Sequence, residues 1–441
     1  MFKTLRATNF RGFRDTGVMP FSKLNIFLGP NNAGKSSLAR IPVLLKQTLE
    51  DPNADNCLLT DGPLVDFGSF QDVIIGHDTS KSINLEVEFT ESSVLDTARS
   101  HSFRHRVVPT HGSFEFAFSI RRKRIYLKRF DVKLSSSESL VSGGCSAAGK
   151  LVSWHPWVGV PPTQTKGSLF HFLPEANPPR RSYFYPQDKK LVDLFRLSFL
   201  YRRAWQEKMR ALIHLEPVRY TLQRNYKVTG ESPMNVGPRG ENLLGVLFRD
   251  ERRPARQRRQ LLRQLATWLD ERFKFVRHTN LEPITKDRSI YALTGLDCRT
   301  GVKVNLSMTG FGISQVAPII VQGFLSDPGA CIVMEQPEIH LHPAAQAEIG
   351  DLLIQFIGQG KQVFVETHSE HILLRIRNWI ARGDLPATDL KVFYVHETEA
   401  GSAVDPLEID ERGRFLNWPK GFFEEDYVES SSIAAALISN P

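Results

Sequence analysis

The stretch Gly29-Pro-Asn-Asn-Ala-Gly-Lys-Ser36 constrains this chain more than any other. It fits the pattern GxxxxGK[ST] and stands between the apolar run "LNIFLG" and the helix-patterned "LARIPVLLKQTL". Strand, glycine-rich loop and helix thus follow in the order a phosphate cradle requires. Backbone amides of Asn32, Ala33, Gly34 and Lys35 are expected to turn inward, with the helix start adding positive potential. Gly29 and Gly34 leave room for close backbone approach, and Asn31 and Ser37 complete the expected nucleotide-binding set. Lys35 should meet the β and γ phosphates of ATP, and the Ser36 hydroxyl should ligate Mg2+. A second match, Gly144 to Lys150, is followed by Leu151 in place of a hydroxyl residue and has no apolar strand before it. It reads as a loop.

A loop of this kind needs an acid from another strand. "CIVMEQPEIHLHP" (331–343) is an apolar run delivering Glu335 to a strand end, where ligands of open α/β sheets collect. Glu335 is expected to hold magnesium through water, together with Ser36. Gln336 follows, where it would face the γ-phosphate and the attacking water. An amide cannot take a proton, but it can position a water, so hydrolysis is expected to be slow. His368, just after "QVFVET", sits at another strand end and suits a γ-phosphate sensor. The pairs His340/His342 and His368/His371 lack a convergent third and fourth ligand, so a zinc-type site is not expected.

Three apolar strand candidates, "ACIVM", "QVFVET" and "LKVFYV", alternate with helix-like stretches, which argues for a parallel α/β sheet. Residues 83–130 alternate apolar and polar and read as antiparallel strands on one flank. Residues 134–185, rich in Ser, Gly and Pro, read as surface loops, and 187–215 and 251–274 as helices without sustained heptads. The expected division is therefore 1–94, the phosphate-loop half of a core; 95–275, an insertion offering a partner or oligomer surface; and 276–441, the other half. No apolar run reaches the roughly 18 residues of a membrane span, and no secretion signal is seen, so a cytoplasmic protein is expected. The net charge of +8 and the arginine run "ERRPARQRRQLLRQ" (251–264) leave DNA binding possible in principle.

Taken together, "NFRGF", the phosphate loop, "GSFQDVIIGHD", "GPRGENLLGVL", "TGFGISQVAPIIVQ", "EQPEIHLHP", "VETHSEHILLRIR" and "NWPKGFF" resemble the ABC-type ATPases related to SMC and RecF proteins. The resemblance is closer to stand-alone OLD-like, AAA15-type ATPases of anti-phage defence islands, without coiled coil or Toprim nuclease domain. It implies an ABC-type head: a mostly parallel sheet with flanking helices and an antiparallel β flank, interrupted by a mixed α+β/helical insertion. It further implies that Gly310, Gly312, Ser314 and Gln315 form a signature motif facing the γ-phosphate of a second subunit. Pro337 to His342 would be a D-loop at that interface, Gln71 a nucleotide-contacting glutamine, and Arg11 a neighbour of the nucleotide. The implied function is an ATP-dependent switch, a homodimer or higher homo-oligomer controlling a separate nuclease or toxin effector. The alternative is a RecF- or SMC-like DNA-repair ATPase.

Overall fold

Runs of Val, Ile, Leu and Phe without polar alternation make strands that must be covered on both faces. Five such strands, arranged in one sheet, organise this structure, a computed structural model that describes residues 1–51, 57–90, 111–121, 124–134, 138–145, 151–156, 203–228, 232–254, 258–420 and 422. The chain opens with β1 (Phe2–Phe10), β2 (Phe13–Asp15), β3 (Met19–Pro20) and β4 (Leu24–Leu28), followed by α1 (Lys35–Ala39) and α2 (Ile41–Glu50). Next come α3 (Phe70–Val73), β5 (Ile83–Thr90), β6 (His111–Arg121), β7 (Arg124–Leu134), β8 (Glu138–Cys145) and β9 (Leu151–Pro156). A middle portion holds β10 (Leu212–Leu215), β11 (Tyr226–Lys227), α4 (Leu243–Glu251), α5 (Gln260–Ala266), β12 (Val276–Pro283), β13 (Ile290–Asp297) and β14 (Lys303–Asn305). The last portion alternates: α6 (Phe311–Leu325), β15 (Cys331–Glu335), α7 (Pro343–Gly358), β16 (Gln362–Glu366), α8 (Glu370–Ala381), β17 (Leu390–Thr398) and β18 (Gly401–Leu407).

The central sheet runs β10-β15-β16-β4-β17-β18, parallel throughout except for β18. Its register aligns Glu335 with Glu366 and Glu366 with Phe27, so the phosphate loop and two acids leave the same edge. Alternate residues of each strand serve opposite faces. Leu24, Ile26, Ile332, Met334, Val363 and Val365 pack in a core with residues of α4 to α8. Phe27, Val333, Phe364 and Phe393 pack in a second core with α1, α2 and the flank. That flank is an antiparallel sheet, β2-β1-β5-β6-β7-β8-β9, as the alternation of 83–130 predicts. Gln362 fastens it to the centre: its amide accepts from Phe2 N at 2.8 Å and donates to Phe2 O and Ser22 O at 2.8 Å. A third sheet joins β11, β13, β12 and β14.

Two local expectations are corrected. Residues 212–215, inside a stretch read as helix, form the edge strand β10, paired in parallel with β15. The chain therefore returns to the central sheet at Leu212, well before the boundary at 275, and α4 and α5 belong to its core. Within 134–185, read as loops, 138–145 and 151–156 are strands, and Gly144 of the second glycine-lysine match is paired within β8 and β9. Residues 146–150 of that match lie outside the described residues. Among the described residues no helix is long and apolar enough to cross a membrane.

Candidate nucleotide site

The loop after β4 is shaped by its glycines. Gly29 adopts φ +140°, and a Cβ there would lie 1.9 Å from the Val395 carbonyl oxygen on β17. Gly34, at φ +104°, would bring a Cβ to 2.8 Å from the Phe13 ring. Asn32 takes a left-handed φ of 63°, which Asn tolerates better than most residues. Lys35 curls back, and its Nζ donates to Gly29 O at 3.0 Å and Pro30 O at 2.6 Å. Burial lowers the pKa of this ammonium group. Arg40 lies at the junction of α1 and α2 and reaches across to the carboxylate strands.

The two aligned acids have different surroundings. Glu335 is buried and held by Arg40, whose Nε donates to Oε1 at 2.6 Å while Nη2 bonds Oε2. His214, brought by β10, meets Oε1 at 2.7 Å. Burial pushes the Glu335 carboxyl up, but hydrogen bonds from His214 and Arg40 outweigh it and hold the group below its ordinary value. Glu366 accepts a hydrogen bond from Ser36 Oγ at 2.9 Å through Oε1, whereas its Oε2 is buried without a partner. Burial raises its pKa. Ser36 thus meets Glu366, while Arg40 and His214 occupy Glu335.

A cavity of about 720 Å³ opens above this edge, a volume typical of small-molecule sites. Of the expected residues it gathers Asn31, Asn32, Gly34, Lys35, Ser36, Ser37, Gln336 and His368, and Arg11 as well. Glu335 and Gln71 do not line it; Gln71 is exposed on α3. Gln336 is held at a left-handed φ of 42°, with its N–H donating to Glu366 O at 2.7 Å, a conformation costing about 1 kcal/mol outside glycine. His368 is anchored by its N–H to Glu338 Oε1 at 2.7 Å. Burial, then the nearby Lys35 charge, lower its pKa, so its ring is neutral at pH 7. Sequence reasoning missed Glu366, Arg40, Asp66 and Phe67, all of which line the cavity.

The signature residues divide. Ser314 and Gln315 are buried and used within the chain: Ser314 Oγ accepts from Leu222 N at 3.1 Å, and the Gln315 amide bonds both Arg219 N (3.2 Å) and Arg219 O (3.1 Å). Their side chains do not face outward, because the first turn of α6 turns that face onto the 219–222 loop. Gly310 and Phe311 are exposed at the helix start, and Phe311 packs edge-on to His340 at 4.9 Å. The fully buried Arg219 continues the connection, donating to Glu335 O at 3.0 Å.

Comparison with known proteins places these features in context. The family model described as AAA ATPase domain matches residues 1–147 and 252–373, more than half of the chain. Residues 385–427 match a model described as a protein of unknown function, DUF3696. No curated protein matches the sequence. Solved structures similar to the chain include an SMC head bound to the C-winged helix domain of ScpA (11% identity, TM-score 0.46, covering 93% of this chain and 98% of that one). Another is the SMC head domain from Thermotoga maritima (11% identity, TM-score 0.43, 92% and 99% covered). A third is an Smc head with an extended coiled coil bound to the C-terminal domain of ScpA derived from Pyrococcus furiosus (11%, 0.43, 98% and 99%). Likenesses this distant carry no claim about this chain.

Proposed function

Since the chain belongs to the AAA ATPase domain family, we propose that it binds ATP in the 720 Å³ cavity and hydrolyses it slowly, using the bound nucleotide to bring two copies together. The observation that supports this best is the convergence of Lys35, Ser36, Gln336, Glu366 and His368 from three adjacent strand ends on one cavity. Phosphoryl transfer needs positioning and charge stabilisation more than covalent participation. Lys35, released from the loop carbonyls, supplies the charge for the β and γ phosphates. The Asn32-to-Lys35 amides supply fixed dipoles.

Gln336 is suited to orient a water and cannot remove its proton, which is the physical basis for slow turnover. His368, neutral and held by its backbone, can donate or accept one hydrogen bond at the γ-phosphate without adding charge. A divalent cation fits beside the Ser36 hydroxyl, where a buried carboxylate oxygen has no partner; when bound it would screen phosphate charge.

For two copies to share the nucleotide, the exposed start of α6 at Gly310 and Phe311, with Gly312 half-buried behind them, and the exposed His340 and His342 of the 337–342 turn form the available face. With Ser314 and Gln315 spent internally, backbone amides at this helix start are left to meet a phosphate in trans. An antiviral setting with a separate nuclease or toxin effector rests on the motif resemblance to phage-defence ATPases. Within the arginine run, Arg259 pairs with Glu251, Arg253 approaches Asp250 at 3.8 Å and Arg252 lies over the Phe248 ring at 4.4 Å, whereas Arg258 and Arg263 are exposed, and DNA binding stays the alternative reading. Light scattering with and without Mg·ATP tests the switch. Wild type should double in mass with ATP and Lys35→Ala should not; identical, nucleotide-independent masses would end the proposal.

A further inference from the structure

We infer that the segment 385–427, which matches a model of unknown function, positions the phosphate loop, and that Gly401 and Ser402, at the tip of its hairpin, are the contact through which it does so. The inference rests on the ATP-binding reading above. It adds a requirement from outside the stretches matched to the ATPase model, the last of which ends at residue 373.

β17 and β18 form an antiparallel hairpin at one end of the central sheet, and β17 lies directly beside β4, the strand that leads into the loop. The hairpin reaches the loop at both of its glycines. At the start of the loop, Gly29 packs against the Val395 carbonyl of β17 with no room for a side chain between them. At its end, Gly34 lies against the Phe13 ring, and Ser402 Oγ stands 3.7 Å from the place a Gly34 Cβ would take. Phe13 follows Gly12, which the hairpin tip holds. Ser402 N–H donates to Gly12 O at 2.9 Å, and a Cβ on Gly401 would lie 2.5 Å from that same carbonyl oxygen. Ser402 Oγ in turn stands 2.5 Å from where a Gly12 Cβ would be. Arg11, the residue before, lines the nucleotide cavity.

The tip is closed by its own bonds: Thr398 Oγ1 donates to Gly401 O at 2.7 Å and accepts from Ala400 N at 3.2 Å. The far end of the segment is fastened elsewhere, to α8. There Arg377 Nε donates to Gly413 O at 2.7 Å, and a Cβ on Gly413 would lie 2.5 Å from the Arg377 carbonyl oxygen. Backbones that meet without side chains between them pass on a displacement with little slack, because the interior is close-packed. A phosphate cradle works through amides held in fixed places. A shift of the tip would carry Gly12 and Phe13 with it and so move the wall behind Gly34. A shift at Gly413 would not.

The test compares two sterically matched substitutions in the full-length chain. Gly401→Ala and Gly413→Ala each place a Cβ 2.5 Å from a backbone carbonyl oxygen, at φ of +118° and +72°, but only the first faces Gly12. Each variant is titrated with Mg·ATP by isothermal titration calorimetry, and its Tm is read without nucleotide. Both should lose stability. Gly401→Ala should also bind ATP about tenfold or more weakly, and Gly413→Ala within about threefold of wild type. Gly12→Ala reads the same contact from the other side, since its Cβ would lie 2.5 Å from Ser402 Oγ. It should weaken ATP binding, and adding Ser402→Gly should restore it; this pair decides alone where Gly401→Ala does not fold. A folded Gly401→Ala with wild-type affinity, or equal affinity losses in the Gly401 and Gly413 variants, would overturn the inference. So would Gly12→Ala with wild-type affinity, or with a loss that Ser402→Gly leaves unrepaired. Wild type that binds no ATP would instead refute the ATP reading itself.

Discussion

Replacing Glu335 with glutamine in metal-free protein isolates what the Arg40–Glu335–His214 cluster does. Glu335 is 1% exposed, and the Arg40 side chain, at 25%, retains some solvent contact. Removing one partner of a buried ion pair typically costs about 3–5 kcal/mol. Partial hydration of Arg40, and an amide oxygen that still accepts one bond, bring the expected cost to about 2–3 kcal/mol. With about 2.1 cal/mol/K of unfolding entropy per residue, a 441-residue chain that unfolds in one transition has a slope near 0.9 kcal/mol/K. The expected loss in Tm is therefore about 3 °C, readable by differential scanning calorimetry.

The pH dependence has a definite sign. The Glu335 carboxyl is held below its ordinary value, so its contribution is fully present above the unfolded value and is lost as pH falls through the folded one. The Tm gap between wild type and Glu335→Gln should be constant from about pH 6 to 8 and close below about pH 4.3. Glu366→Gln is the internal comparison: it keeps an acceptor for Ser36 and removes a buried charge whose desolvation outweighs the nearby Lys35 and Arg40 charges, so its Tm should match or exceed that of wild type. A Glu335→Gln protein as stable as wild type, or a Glu366→Gln protein less stable than Glu335→Gln, would refute this division of roles.

Two further outcomes follow from the geometry. Gln336→Glu places a base at the position of the attacking water, and steady-state phosphate release should rise at least about tenfold; unchanged turnover would show that water positioning does not limit the rate. Gly29→Ala would drive a Cβ to 1.9 Å from the Val395 carbonyl at a φ of +140°, so nucleotide binding by fluorescence titration should fall below detection even where the protein remains folded, whereas wild-type binding would refute the loop geometry.

How much of this was legible in the sequence depended on whether each signal is local. The phosphate loop is a local device, with glycines, lysine and hydroxyl all within eight positions, and it appears where the pattern puts it. The parallel strands were equally readable, because strands covered on both faces are uniformly apolar. Glu366 was overlooked, although "VFVE" has the same form as "IVME": an apolar strand closing in a glutamate. Only strand register, which no local pattern encodes, shows that the two glutamates are neighbours and that Arg40 has claimed one of them. β10 was lost because four residues beside a helix give too short a period to distinguish. Ser314 and Gln315 look like site residues by type, yet they lie on the side of α6 that packs inward, so their polarity satisfies the 219–222 backbone.

The central claim is that the cavity above Lys35 is a nucleotide site, and isothermal titration calorimetry of Mg·ATP into wild type and Lys35→Ala addresses it most directly. Loss of a charged hydrogen-bonding group facing phosphate should weaken binding by about 10- to 100-fold, with the variant's Tm in the absence of nucleotide close to that of wild type. Equal affinity in the two proteins would contradict the account.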